Sequence, residues 1–170
     1  MKTPICSFDA KTGVLCSQCE NKLKSGILRA TDIEGAMKLS KISLKHHELD
    51  KFTLVGSRKV NDEFVLILKT IDVKFLKSNQ SLAKLIQKEF QSKVWFVEAD
   101  SSPRTFLENL FSPARIMNTN MIWLPDGHKV TQVTMVSKDF EEITPNIEKI
   151  KSIALDVRNI DLIVQVSNKG

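Results

Sequence analysis

DVKFLKSNQSLAKLIQKEFQSKVWFVEA, residues 72 to 99, reads as a loop, an amphipathic helix and a buried strand. Leu82, Leu85, Ile86 and Phe90 recur at helical spacing, and the apolar run after them has the length of a strand. The same order returns in SKDFEEITPNIEKIKSIALDVRNIDLIVQV, residues 137 to 166. There Ile147, Ile150 and Leu155 answer Leu82, Leu85 and Phe90, while Ile160 and Leu162 answer Val94 and Phe96. Identity between the copies is low, so what repeats is a pattern. Two strand-like runs precede each copy, Phe52 to Val55 with Phe64 to Leu68, and Ala114 to Leu124 with Lys129 to Val136. A helical stretch precedes each pair. The fold class is therefore α+β, with the order αββαβ present twice, and the chain divides into an N-terminal segment 1–26, a first module 27–100 and a second module 101–170.

The composition agrees with two small cores. Hydrophobic content of 42% and charge of 26% are those of a globular protein, and no apolar run approaches the roughly 20 residues that cross a bilayer. MKTPICSFD lacks the apolar stretch of a secretory signal, so the expected compartment is the cytoplasm, with reduced cysteines and no membrane partner. A net charge of +5 and a pI near 9.1 suit a polyanion such as RNA, or an RNA-rich assembly. That signal is mild, because the lysines are scattered singly and surface charge serves solubility with any partner.

The three cysteines, Cys6, Cys16 and Cys19, all fall within the first 20 residues. Two thiolates in a C-x2-C turn can reach one tetrahedral zinc, and such an ion holds together a segment too short to bury a core. Structural sites usually have four protein ligands, so either a fourth residue joins or the site is incomplete. Asp9 is the first candidate, since Cys6-x2-Asp9 matches the turn of Cys16-x2-Cys19; His46 and His47 are held in reserve. The competing reading is a degenerate knuckle with three reduced thiols. A redox C-x2-C would begin a helix within a βαβ unit, whereas this one comes before any expected strand.

Local signals place the remaining elements. A short helix from Glu20 should stop at Gly26, and Thr31-x-x-Glu34 has the form of a capping box opening a longer helix. GSRKVND, 56–62, reads as the loop of a hairpin, and the unbroken apolar run Phe64 to Leu68 as a central strand covered on both faces. Ser102 and Pro103 open another helix, whose Phe106, Leu107, Leu110 and Phe111 should bury a contact between modules. Thr144-Pro145 also reads as a helix start. Trp95 and Trp123 are expected to fill cores.

A module of order αββαβ with a loop before its second helix resembles the KH domain of prokaryotic type, and a tandem pair resembles NusA-like archaeal transcription factors. The resemblance is most specific over Phe106 to Val136, where FLENLFSPARIM and then WLPDGHKVTQVTM are similar to the seam between two such modules. It also covers the N-terminus: Pro4-Ile5-Cys6 and Leu15-Cys16 match a family pattern with four cysteines, in which Asp9 stands at the second cysteine's place. The resemblance implies zinc at Cys6, Asp9, Cys16 and Cys19, and RNA at a GxxG loop. Glycine is needed there because nucleotides are clamped against the loop backbone.

Neither module keeps that loop. The first has Leu76-Lys77-Ser78-Asn79-Gln80 and the second Glu141-Glu142-Ile143-Thr144, where two carboxylates would repel a phosphate. Lys74, Lys77, Ser78 and Asn79, continued by Lys84 and Lys88 along the next helix, still form a candidate RNA-binding edge. No phosphate-cradling loop, activated nucleophile or paired carboxylates point to an enzyme or a small-molecule substrate. The expectation is a NusA-like factor of transcription elongation or termination that binds RNA weakly. The alternative is a protein-docking adaptor on RNA polymerase or the ribosome.

Overall fold

The structure, a computed structural model, describes residues 1 to 168, which form two units, one ending at Asp100 and the other beginning at Ser101. The first contains α1 (Ser7–Thr12), α2 (Ser17–Lys24), α3 (Ala30–Ser43), a 3-10 turn at His47–Lys51, β1 (Leu54–Val60), β2 (Glu63–Leu68), α4 (Thr70–Ser78), α5 (Gln80–Phe90) and β3 (Val94–Glu98). The second contains α6 (Pro103–Phe111), β4 (Asn118–Trp123), β5 (Lys129–Val136), α7 (Ser137–Ile143), a 3-10 turn at Thr144–Asn146, α8 (Ile147–Arg158) and β6 (Leu162–Ser167). In both, the middle strand pairs antiparallel with the strand before it and parallel with the strand after the helices. The repeated plan is thus one helix, a hairpin, two helices and a returning strand.

The first helix of each pair, α4 in the first unit, corrects the sequence reading, which placed a loop at residues 72 to 79. Val73 and Leu76 are buried and hold α4 on its unit. Its first turn is fixed by Asp100, whose Oδ1 accepts from both the N–H and the hydroxyl of Thr70 at 2.7 Å. Asn79 then ends α4 and begins α5, its Oδ1 accepting from the N–H of Leu82 at 3.2 Å.

Other local readings also change. Thr31 is inside α3 rather than its cap, and its hydroxyl donates to Ser57 O at 2.9 Å; Asp32 closes the first turn by accepting from the N–H of Arg29. Residues 56–60 are strand, not loop, and the hairpin turns on Asn61 and Asp62 alone, both with positive φ (47° and 64°). A two-residue turn of that hand matches the twist of the paired strands. Thr144 does not open a helix as an N-cap but closes α7: its hydroxyl donates to Phe140 O at 2.8 Å, and α8 starts only at Ile147. Ser102 does act as the cap of α6, accepting from the N–H of Thr105 at 3.2 Å, and α6 packs on α8 of its own unit.

The first unit has a core of Leu39, Leu49, Leu54, Phe64, Leu66 and Leu76. Ile5, Ala10 and Cys19 belong to that same core, so residues 1–26 do not stand apart. The chain also enters beside the sheet: the N–H of Lys2 donates to Phe52 O and Lys2 O accepts from the N–H of Leu54, both at 2.9 Å. β2 is buried from Phe64 to Leu68, as a central strand covered on both faces should be.

Gly35 explains how α3 comes so near β1. A Cβ there would strike the Ser57 hydroxyl and stand 2.8 Å from its Cβ, on a residue that is itself fully buried. Gly35→Ala is expected to destabilise the first unit by about 1–3 kcal/mol through overpacking, despite alanine's better helix propensity. Urea denaturation followed by Trp95 fluorescence in a Trp123→Phe background checks this; an unchanged midpoint would mean that α3 can shift freely.

Candidate metal centre

Two short helices build the site in the same way. Cys6 is the N-cap of α1 and Asp9 lies in its first turn; Cys16 is the N-cap of α2 and Cys19 lies in its first turn. Each x2 spacing thus puts a pair of side chains on one helix start. Gly13, at φ +78°, ends α1 in a left-handed turn and donates its N–H to Asp9 O, sending the chain back toward the second pair. The halves are tied reciprocally: the N–H of Cys6 donates to Cys19 Sγ at 3.5 Å, and the N–H of Cys16 donates to Asp9 Oδ2 at 2.9 Å.

The result is a cluster in which one ligand atom from each of Cys6, Asp9, Cys16 and Cys19 lies within 4.8 Å of the others. Around a metal–sulfur bond of about 2.3 Å, tetrahedral ligands stand about 3.8 Å apart. The cluster therefore needs only small inward movements to close on a single ion. Asp9 is fully buried, and its Oδ1 has no hydrogen-bond partner. A buried carboxylate oxygen without a partner is costly, and a cation among the four ligand atoms would satisfy it. The four side chains could hold one metal ion. His46 and His47 lie outside the group, with His47 Nδ1 3.1 Å from Asp50 Oδ2.

The electrostatics agree with that reading. The N–H of Cys16 holds the Asp9 carboxyl down at about 2 against the opposing effect of burial, and the facing thiols help, so the carboxylate is ionised at any ordinary pH. For Cys19 the N–H of Cys6 favours the thiolate, but burial, the Asp9 carboxylate and Cys16 together outweigh it and push the thiol up to about 12. Cys6 is also raised: the N–H of Asp9 lowers it, and the Asp9 side chain, burial and Cys16 prevail. The protons that these thiols retain are ones a metal would displace.

No protein-family model matches this chain, and no curated protein does. Among solved structures it is similar to the crystal structure of APE1850, with a TM-score of 0.56 and 14% identity over 74% of this chain and 96% of that one. At that identity the likeness is one of fold.

The residues expected to meet RNA lie on two successive helices. Lys74, Lys77 and Ser78 are exposed on α4, Asn79 is at the junction, and Lys84 and Lys88 are exposed on α5 at a spacing that shares one face. Ser78 donates its hydroxyl to Phe75 O at 2.8 Å, and Asn79 Oδ1 serves the α5 cap, so both side chains already have structural roles. Burial lowers the Lys77 amine, against the attraction of Glu98, and Lys74 lowers it further.

Sequence reasoning missed two features. Asp32 is buried and accepts from the N–H groups of Arg29 and Ser57 and from Arg58 Nη1, joining α3 to β1. Trp123 does not fill a core: it is 70% exposed, with Lys129 Nζ 5.8 Å from its ring centre. Trp95 is half-buried, donating its indole N–H to Glu63 Oε2 at 2.8 Å beneath Lys93. No helix among the described residues is long and apolar enough to cross a membrane.

Proposed function

We propose that the two units are KH-type modules and that the chain is a NusA-like, non-catalytic factor of transcription elongation or termination that meets RNA weakly. The observation that carries this reading is the plan occurring twice, a hairpin, two helices and a strand returning parallel to the middle one. In this reading the helix–helix junction of each unit corresponds to the loop by which a KH module meets RNA. Weak binding is supported by what stands at the first junction: the Ser78 hydroxyl is taken by Phe75 O, Asn79 caps α5, and no glycine lets a phosphate approach the backbone. The four-residue cluster is proposed to hold zinc, because three thiolates and a carboxylate suit that borderline-soft ion. Its role is structural, fixing residues 1–26 onto the first unit.

Single-stranded RNA titrated at several salt concentrations tests the RNA reading. On a single strand each phosphate contact contributes about 0.7 to the salt slope, so Lys74→Ala, Lys77→Ala and Lys84→Ala combined should reduce it by about two. A slope unaltered by the triple variant would remove this edge as the RNA surface. The second reading, a docking adaptor on RNA polymerase or the ribosome, is favoured by the exposure of Trp123, and it predicts association that salt scarcely weakens.

A further inference from the structure

β4 is an edge strand, and among the described residues no strand pairs with its outer side. The register decides which backbone groups face outward. The N–H of Leu124 donates to His128 O at 2.7 Å, so the hydrogen-bonded partners of β5 are Ile122 and Asn120, at alternate positions from it. Thr119, Met121 and Trp123 therefore turn their N–H and C=O groups away from the sheet. Thr119 has its N–H taken by Asn118 Oδ1 at 2.9 Å, which leaves the groups of Met121 and Trp123 presented.

This edge also lacks what usually protects one. NTNMIW has no charge and no proline, and its Met121 and Trp123 side chains are 63% and 70% exposed. Beside it lies a groove of about 860 Å³ that Thr119 and Met121 share with Leu107 and Leu155. Three basic residues line the groove, Arg104, Lys129 and Arg158, with one carboxylate, Asp161, held 2.9 Å from His128; Arg104 Nε also lies 2.9 Å from Oε1 of Glu108, outside the lining. The groove thus combines apolar lining from Leu107, Met121 and Leu155 with an excess of cations.

We propose that β4 captures an extended segment of a partner protein, which adds as a further strand and sets alternate apolar side chains into the groove while its acidic residues face Arg104 and Lys129. Main-chain pairing would supply affinity and the groove specificity, the division of labour seen wherever a peptide augments a sheet. A polypeptide satisfies the outward N–H and C=O groups of Met121 and Trp123 at a strand's own repeat. A nucleic acid has no such repeat to offer, although its phosphates would suit the same cations. This site belongs to the second unit, whereas α4 and α5 belong to the first, and it stands or falls separately from the RNA reading.

The test uses the full chain and a pool of ten-residue peptides in which Leu, Ile, Val or Phe alternates with Asp or Glu. Amide hydrogen exchange is read residue by residue by NMR. At millimolar peptide the Met121 and Trp123 amides should gain at least tenfold protection. A pool with Lys or Arg at the charged positions should give none, and neither should the acidic pool carrying N-methyl groups on alternate amides, which cannot pair. Met121→Pro should abolish the effect, since it removes an outward N–H and none that faces β5. No protection by the acidic pool, equal protection by the basic pool, or protection by oligouridylate instead would each overturn the proposal. So would protection that grows with protein concentration alone, because the occupant would then be a second copy.

Discussion

Protein prepared with zinc in the medium should carry one metal ion per chain, and Cys19→Ser should lose it. The effect on stability should be the largest of any single change in the N-terminal segment, because the ligands are not peripheral. Cys19 is a member of the first unit's core together with Ile5 and Ala10, and Lys2 is hydrogen-bonded on either side of Thr53 at the start of the sheet. Metal binding to a site absent from the unfolded chain appears as folding free energy, on the order of 10 kcal/mol for isolated zinc-finger peptides. Less is expected here, since the segment also has apolar contacts that survive without metal. Chelation should lower the melting temperature of the first unit and leave the second unchanged, which fluorescence of Trp95 and Trp123 can separate in single-tryptophan variants. Asp9→Ala should weaken the metal at least about tenfold by removing a ligand, and Asp9→Cys should strengthen it, since thiolate is the softer donor. Protein that remains free of metal at elemental analysis, with a melting temperature unaffected by chelator, would leave three reduced thiols and a decayed knuckle.

The same site fixes a pH dependence. Cys6 and Cys19 are both raised and hold their protons at neutral pH, so each gives one up to a metal, whereas Asp9, at about 2, has none to give. With Cys16 as the third thiolate ligand, three released protons make apparent affinity rise about a thousandfold per pH unit below the thiol range, measurable by competition with a chelator. Without metal the sign at Cys19 reverses. A thiol raised to about 12 in the folded chain contributes stability that is fully present below about pH 8.5, its unfolded value, and is lost as pH rises through 12. Asp9 acts at the other end: its contribution is present above about pH 3.9 and is lost as pH falls through about 2.

What the sequence made legible followed from spacing. The duplicated α+β plan showed in apolar positions recurring at one interval, and the cluster showed in two x2 spacings, one of which brought in Asp9 without a fourth cysteine to suggest it. Spacing failed where the signal is not periodic. α4 buries Val73 and Leu76 but leaves Ile71 and Phe75 exposed, so its apolar residues mark no single face and the segment passed for a loop. The strand through Arg58 was hidden by Gly56, which suggested a turn; the glycine instead sits at a shift of register, with Asp32 Oδ1 2.9 Å from where a Cβ would be. Trp123 was misplaced because an aromatic residue type favours strands and does not say which side of one it will occupy.

Asp32→Ala should cost the first unit about 3–5 kcal/mol, the range for removing one partner of a buried ion pair. The carboxylate is nearly inaccessible, with 8% of its side chain exposed, and Arg58 Nη1 lies 2.9 Å from Oδ1. Beyond the ion pair, Oδ1 accepts from the N–H of Ser57 at 2.8 Å and Oδ2 from the N–H of Arg29 at 2.9 Å. Alanine would leave those amides and the guanidinium to find other acceptors in a place that water reaches poorly. Arg58→Ala should cost less, since it leaves Asp32 with both amide donors and lets its charge remain partly compensated. A double-mutant cycle between Asp32→Ala and Arg58→Ala, read from urea midpoints, should therefore show that the two costs do not add. Additive costs would mean that the amides, and not the guanidinium, account for what Asp32 contributes, and α3 would then be fixed to β1 by main-chain contacts alone.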